Sequence, residues 1–299
     1  MSIRVNPDLL PDLLISIQQS QLNQSIATQQ LASGRSVNQL SDNPAAVAAL
    51  VGNHNQAAQD DQFLQNNNSL TTRFQTADSA LSSIVQVLTR AVSIGTEGAN
   101  GTLSAADQQS IAQEVQGLQS QLVSLANSTY QGTYLFSGTA VTTQPFTLNS
   151  ATNTVTYNGN TGVSSTQLSD GNSINTNVPG SQLFQSPSGD AFGALQNLYT
   201  SLMAGNQANI GTAVSQVQNA LNQVNTQRVF YGNAMNQVNL AESFLNQDKV
   251  SLSTQENGLV GADLAQVASN LEQAQVANQA TLGATGKTLS LPTLLDYLT

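Results

Sequence analysis

Cysteine and tryptophan are absent from this chain of 299 residues, and histidine occurs once. Without cysteine there is no disulfide, no thiolate nucleophile and no cysteine-based metal site, so nothing covalent staples the fold. Such a chain can pass unfolded through an export channel and refold beyond it. The single histidine, His54, lies on a helical stripe with Val47, Leu50 and Ala57. A histidine-based catalyst or metal site needs partners that the sequence does not supply, so a structural role is expected for it.

Charge is scarce as well. Charged residues make up 8% of the chain, against about 25% in an ordinary domain, and Asn, Gln, Ser and Thr take the vacant surface positions. Helices with such a surface can pack beside copies of themselves with little repulsion, their amides and hydroxyls hydrogen-bonding across the contacts. A net charge of -10 and a pI of about 4.1 oppose binding to phosphate backbones or anionic lipid. Neither nucleic acid nor membrane insertion is expected.

Long apolar runs are missing too: none reaches the ~18 residues of a spanning helix. Pro7, Asp8, Pro11 and Asp12 interrupt the early leucines, so no cleavable signal peptide is expected.

What is present is helical patterning at both ends. The length suits about two domains. A first helix is expected from about Asn6 or Pro11 to Ser33, with Asn6-Pro7-Asp8 as its start and Gly34 as its stop. Leu10, Leu14 and Ile17, then Leu22, Ile26 and Leu31, form its apolar stripe. A second helix starts at Asn43-Pro44 and runs to about Ile94, where Gly95 and Gly98 stop it. Phe63, Asn67, Leu70, Phe74, Ala77, Leu81, Ile84 and Leu88 alternate steps of four and three, which is a heptad seam. Ser104 caps a third helix carrying Ile111, Val115, Leu118, Leu122 and Leu125, expected to form an antiparallel hairpin with the second.

From about Tyr130 to Gly189 short β-prone runs sit among Gly, Pro, Asn, Ser and Thr. Thr154 to Tyr157 followed by Asn158-Gly159 reads as a hairpin signal. Helix returns near Phe192, and one long helix is implied by Ile210, Val214, Val217, Leu221, Val224, Arg228, Tyr231, Met235 and Val238, reaching Leu245 and Leu252. After a break at Asn257-Gly258 and Gly261 comes a last seam of Leu264, Val267, Leu271, Ala274 and Asn278, then Leu294, Leu295 and Leu298.

The expected fold class is therefore mainly α with a β-rich insert, in which long antiparallel coiled-coil helices from both termini accompany a small inserted β domain. Its divisions are 1–40 with 258–299 as a terminal helical assembly region, 41–130 with 191–257 as a helical-bundle core, and 131–190 as the insert. The terminal stripes find nothing nearby to bury against, and each fully buried Leu or Ile contributes roughly 1.5–3 kcal/mol, so the two ends are expected to pair. Leu10, Leu14, Ile17, Leu22, Ile26, Leu264, Val267, Leu271, Leu294, Leu295 and Leu298 are the candidate assembly interface, whether against each other or between molecules. The two segments are expected to fray in the free monomer and to order on assembly.

No enzyme, cofactor or metal site is expected. Asp60 and Asp61 point about 100° apart on a helix and read as solvated. Gly283-Ala-Thr-Gly286-Lys287-Thr288 looks like a phosphate loop but has Thr281 where the pattern needs glycine, and it follows a helix rather than a strand.

The stretch Leu31-Ala-Ser-Gly-Arg-Ser-Val-Asn-Gln-Leu-Ser-Asp-Asn-Pro-Ala-Ala-Val47, with Ala99-Asn-Gly-Thr102, Asp107 and Ile111 through Glu114, resembles the N-terminal signature of bacterial flagellins and their relatives. Within that superfamily, Leu125 to Gly138, Asn153 to Phe184 and Thr293-Leu-Leu-Asp-Tyr-Leu298 look more like the hook-filament junction family, the third hook-associated proteins. Ser36 departs from a usual basic residue, Leu40 from a common proline and Asn43 from an aspartate, so no salt bridge at that turn is counted on.

The resemblance implies a flagellin-like, non-enzymatic adaptor ring between hook-associated protein 1 and the flagellin filament. It further implies type III export of the unfolded chain, a cytoplasmic export chaperone, and a location at the hook-filament junction of the flagellum. A flagellin filament subunit is the nearest alternative, and a displayed binding or enzymatic module a more distant one.

Overall fold

The computed structural model describes residues 9–289, with side chains described from 11 to 287. The helices are α1 (Leu9–Ser33), α2 (Pro44–Gly98), α3 (Ala105–Ala126), α4 (Gly180–Phe184), α5 (Ala191–Met203), α6 (Gln207–Val260) and α7 (Leu264–Leu289). The strands are β1 (Thr129–Tyr130), β2 (Thr133–Tyr134), β3 (Phe146–Asn149), β4 (Thr154–Tyr157), β5 (Ser165–Ser169), β6 (Asn172–Asn175), β7 (Gln185–Ser186) and β8 (Gly189–Asp190). Two compact units result, one of residues 1–58 with 248–299 and one of residues 59–247. The β-rich segment lies within the second.

Local chemistry sets the helix starts. Asn43 Oδ1 accepts from the Ala46 amide at 3.1 Å, capping α2 with Pro44 in its first turn. Ser104 and Asp107 form a reciprocal capping box on α3. Asp190 Oδ1 accepts from the Gly193 amide at 2.9 Å at the start of α5, so one of the few carboxylates of the insert is a cap.

In the second unit the expected seams are core. Leu70, Phe74, Ala77, Leu81, Ile84 and Leu88 of α2 share one buried cluster with Val115 and Leu122 of α3 and with Ile210, Val217, Val224, Tyr231 and Val238 of α6. Arg228 stands in the α6 seam because Asp78 of α2 receives it bidentately, Nε to Oδ1 at 2.9 Å and the second nitrogen to Oδ2 at 3.1 Å. Those bonds hold the Arg228 pKa above its ordinary value. Tyr231 is buried edge-on to Phe74, with ring centres 5.9 Å apart, and burial pushes its phenol pKa up.

Several boundaries differ from the sequence reading. Helix α2 continues through Gly95 to Gly98 because α5 and α6 approach it there: a Cβ on Gly95 would lie 2.7 Å from Val214 Cγ2. Helix α3 makes its closest backbone approach to α5; it shares the buried cluster with α2, to which the Arg90–Glu114 pair at 2.7 Å also joins it. The single helix expected from Phe192 is two, parted at Gly205 with φ +64. Helix α6 carries through Asn257-Gly258 to Val260, its backbone bonding outweighing the weak propensity of one glycine. Asp60 is not solvated: it is 2% exposed, whereas Asp61 is exposed.

The strands form four separate antiparallel hairpins rather than one sheet. Thr154–Tyr157 pairs backward with Phe146–Asn149, so Asn158-Gly159 follows that hairpin, and its turn is residues 150–153, ending at Asn153 with φ +53. The Asp170-Gly171 turn of β5–β6 has Gly171 at φ +71, the left-handed conformation that favours glycine.

Each hairpin is fastened to helices or to the aromatic core. Buried Asn67 of α2 donates to the Leu168 carbonyl at 3.1 Å, and Gln119 of α3 to the Asn153 carbonyl at 3.1 Å. Phe146 is fully buried among Tyr157, Phe184 and Phe192, with ring centres 4.9–5.6 Å away.

Thermal or denaturant unfolding should therefore separate two kinds of contact. Phe146→Ala should cost about 3–5 kcal/mol through lost transfer energy and the cavity left behind. Asp78→Ala, which removes a half-exposed ion pair, should cost no more than about 1 kcal/mol.

Candidate assembly surface

The first unit is built from α1, α7 and the adjoining ends of α2 and α6. Both terminal segments, expected to fray, are helices in the single chain over their described residues. Ile17, Ser20, Gln24 and Ala27 of α1 are drawn in against Val267, Leu271, Ala274 and Asn278 of α7, alternating steps of four and three on each side. Beside Ile17, Val267 and Leu271, the seam is made of small and amide side chains. Ser20 Oγ donates to the Ala274 carbonyl at 3.1 Å, and Asn278 Nδ2 to Gln24 Oε1 at 3.2 Å. Polar pairs at seam positions fix register at a cost in stability.

Where α1 ends, the chain is clasped to the α6–α7 junction. Gly34 at φ +67 turns it, and Arg35 then bridges Gly261 in antiparallel fashion. The Ser36 amide donates to the Val260 carbonyl at 2.7 Å, and the Ala262 amide to the Gly34 carbonyl at 3.0 Å. Glu256 holds two cationic-type partners, Arg35 at 3.0 Å and His54 Nε2 at 3.4 Å. A salt bridge is thus present at the turn, supplied by α6 rather than by the departed positions of the signature. Asp42 accepts from the Asn38 and Gln39 amides at 2.9 and 2.8 Å, and these bonds lower its pKa.

The candidate assembly residues sort into two sets. Ile17, Val267 and Leu271 face the helix partner within the chain. Leu14 (58% exposed), Leu22 (53%), Ile26 (43%) and Leu264 (52%) face outward. The Leu10 side chain, Leu294, Leu295 and Leu298 lie outside the described residues.

Ile15, Val276 and Leu282 are also outward-facing, at 64%, 66% and 52%, and were not anticipated. The signal for them was the small residues: Ser20 with Ala27, seven apart, and Val267 with Ala274 mark the inner seam and so assign larger neighbours to the outside. Beside the pair runs an open groove of about 420 Å³ with Ala27, Ala274 and Ala277 along it and Ile26, Asn23 and Gln273 at its sides.

The chemistry of this surface is that of contact. Among the described residues no three His, Cys, Asp or Glu side chains gather as metal ligands, and no helix is long and apolar enough to cross a membrane. Gly283 and Gly286 lie inside helix α7, not in a loop that could cradle phosphate.

Comparison with known proteins follows the same lines. The bacterial flagellin N-terminal helical region matches residues 12–141, and the bacterial flagellin C-terminal helical region matches residues 207–298; together they span well over half of the chain. Flagellar hook-associated protein 3 of Salmonella typhimurium is 27% identical over 276 residues, which cover 84% of this chain and 86% of that protein.

Among solved structures, a flagellar hook-associated protein from Vibrio parahaemolyticus matches with a TM-score of 0.68 at 20% identity, covering 74% of this chain and all of its own. The flagellar junction protein FlgL from Legionella pneumophila matches with a TM-score of 0.62 at 16% identity, covering 71% of this chain and all of its own. With flagellin helical regions matched in both halves and a hook-associated protein 3 matched over most of its length, the chain belongs to the flagellin superfamily, among its hook-filament junction proteins.

Proposed function

We propose that this chain is a non-enzymatic structural adaptor that joins the flagellar hook, through hook-associated protein 1, to the flagellin filament, as a homo-oligomeric ring. The observation that carries the proposal is the α1–α7 pair. It turns Ile17, Val267 and Leu271 inward with small and amide side chains and leaves Leu14, Ile15, Leu22, Ile26, Leu264, Val276 and Leu282 in water. An apolar surface of this kind gains roughly 1.5–3 kcal/mol for each large side chain that a neighbour covers, so the terminal pair is better suited to a tube wall than to a lone molecule.

Absence of cysteine and scarcity of charge favour export of an unfolded chain, with a cytoplasmic chaperone guarding the terminal stripes. Similarity to hook-associated protein 3 over most of the chain favours the junction over a filament subunit, and purified protein should not grow into long filaments when seeded.

Electron microscopy of cells deleted for this protein tests the role: hooks without filaments, and flagellin shed into the medium, are expected, while normal filaments would contradict it. Leu14→Asp tests the surface. It should leave the monomer's stability within about 0.5 kcal/mol of the original, as for an exposed position. It should nonetheless abolish filament attachment, because the charge must be desolvated in the assembly. Unfolding of the monomer, or unaltered attachment, would count against this face.

A further inference from the structure

Among the eight Phe, Phe244 stands apart: it is 62% exposed, whereas the others are buried or half-buried. One turn before it on α6, Leu240 is 71% exposed, and further along the same face Val229 is 59% exposed. Residues four apart lie above one another on a helix, so these side chains make a ridge directed away from the core face of Tyr231, Ala234, Val238 and Ala241. The positions between them on that face, Asn233 and Asn236, and Gln247 just beyond are exposed and uncharged; the next, Asp248, is a half-buried carboxylate one turn past Phe244.

A second feature of the same unit complements this ridge. Gly117 sits in the interior of α3 on its exposed side, and a Cβ placed there would meet nothing within 4 Å. A glycine in a helix interior costs stability relative to alanine, and here no neighbour in the chain requires it. It forms the floor of a notch of about 330 Å³ whose apolar wall is Leu148 and whose rim is Gln116, Ser120 and Ser150. No charged residue occurs from 115 to 169. The nearby Glu114 is held by Arg90 at 2.7 Å.

We propose that Phe244 and Leu240 of one copy dock in the Gly117 notch of the next copy. The inference rests on the reading that copies of this chain assemble side by side. A second copy is the fitting occupant on charge. Each molecule carries -10, so two copies approach with least repulsion where charge is sparse; the ridge from Val229 to Phe244 and the notch carry none of their own, with Asp248 one turn beyond the ridge. An aromatic side chain entering a pocket is the usual anchor of an interface. Ridge and notch lie on different helices of one unit, so the contact is head-to-tail, the type that closes into a ring.

The cysteine-free chain allows a clean test. Phe244→Cys and Gly117→Cys, combined in one chain that replaces the natural protein in cells, are treated on intact flagella with a short bismaleimide linker. A ladder of covalent dimers, trimers and larger species is expected, with each single variant remaining monomeric. A monomeric double variant on cells that bear filaments would overturn the docking and leave the junction role intact. Dimers from Phe244→Cys alone would overturn the notch in favour of a two-fold contact.

As a second variant, Phe244→Asp should lower the fraction of filamented cells about tenfold while the thermal midpoint of the purified monomer stays unchanged. Filaments at the natural frequency would overturn the proposal. Filaments on cells lacking the protein altogether would instead overturn the junction reading.

Discussion

The structure turns on one seam, the contact of α1 with α7. It is built from Ile17, Ser20, Gln24 and Ala27 on one side and Val267, Leu271, Ala274 and Asn278 on the other, so it fixes which residues face inward while covering only three large apolar side chains, Ile17 and Leu271 in part. Hydrophobic stabilisation scales with the area removed from water, and the second unit gathers far more of it around Phe146, Tyr231 and Leu122. A seam with an amide pair and a serine at its centre specifies register rather than strength. The large side chains that are turned outward, Leu14, Leu22 and Leu264 among them, then become the means by which a neighbour adds what the lone chain lacks.

The clasp at Gly34 to Ser36 supports that arrangement. Backbone bonds to Val260 and Ala262 tie the end of α1 to the start of α7, and Glu256 adds Arg35 and His54. All three side chains are partly exposed, so the Arg35–Glu256 ion pair and the His54 contact add little stability and serve mainly to orient the turn. The signature segment is thus a hinge of hydrogen bonds, with Asp42 and Asn43 each occupied as a cap. Scarcity of charge elsewhere follows from the same need: a surface that must meet copies of itself is easier to bring together when it carries amides and hydroxyls.

Much of this was legible in the sequence. The seams from Leu70 to Leu88 and from Ile210 to Val238 are long and regular enough for periodicity to read, and Asn43, Ser104 and Gly34 act as the caps and stop that their residue types suggest. Signals with several physical outcomes misled. Asn158-Gly159 is a turn dipeptide, yet the chain had already turned at 150–153, and Asn257-Gly258 is overridden by the helix around it.

The α7 half of the inner seam, Val267, Leu271, Ala274 and Asn278, was legible in its steps of four and three, but in the α1 half only Ile17 was. Ser20, Gln24 and Ala27 are invisible to a search for large apolar residues, which finds Leu14, Leu22 and Ile26 on the outside instead. Burial of Asp60 and the Arg35–Glu256 pair depend on partners distant in sequence, which no local pattern encodes. The candidate residues therefore mix the inner and outer faces of α1 and α7, which periodicity alone leaves undivided.

Hydrogen exchange, followed by mass spectrometry in the free monomer and in assembled flagella, tests the central claim most directly. Amides of residues 11–33 and 264–287 should exchange rapidly in the monomer and become protected in the assembly, while α3 and the 59–98 part of α2 stay protected in both. Protection of the terminal helices in the free monomer equal to that of the α2 and α3 core would contradict the account, because it would mean that the thin seam stabilises itself without neighbours.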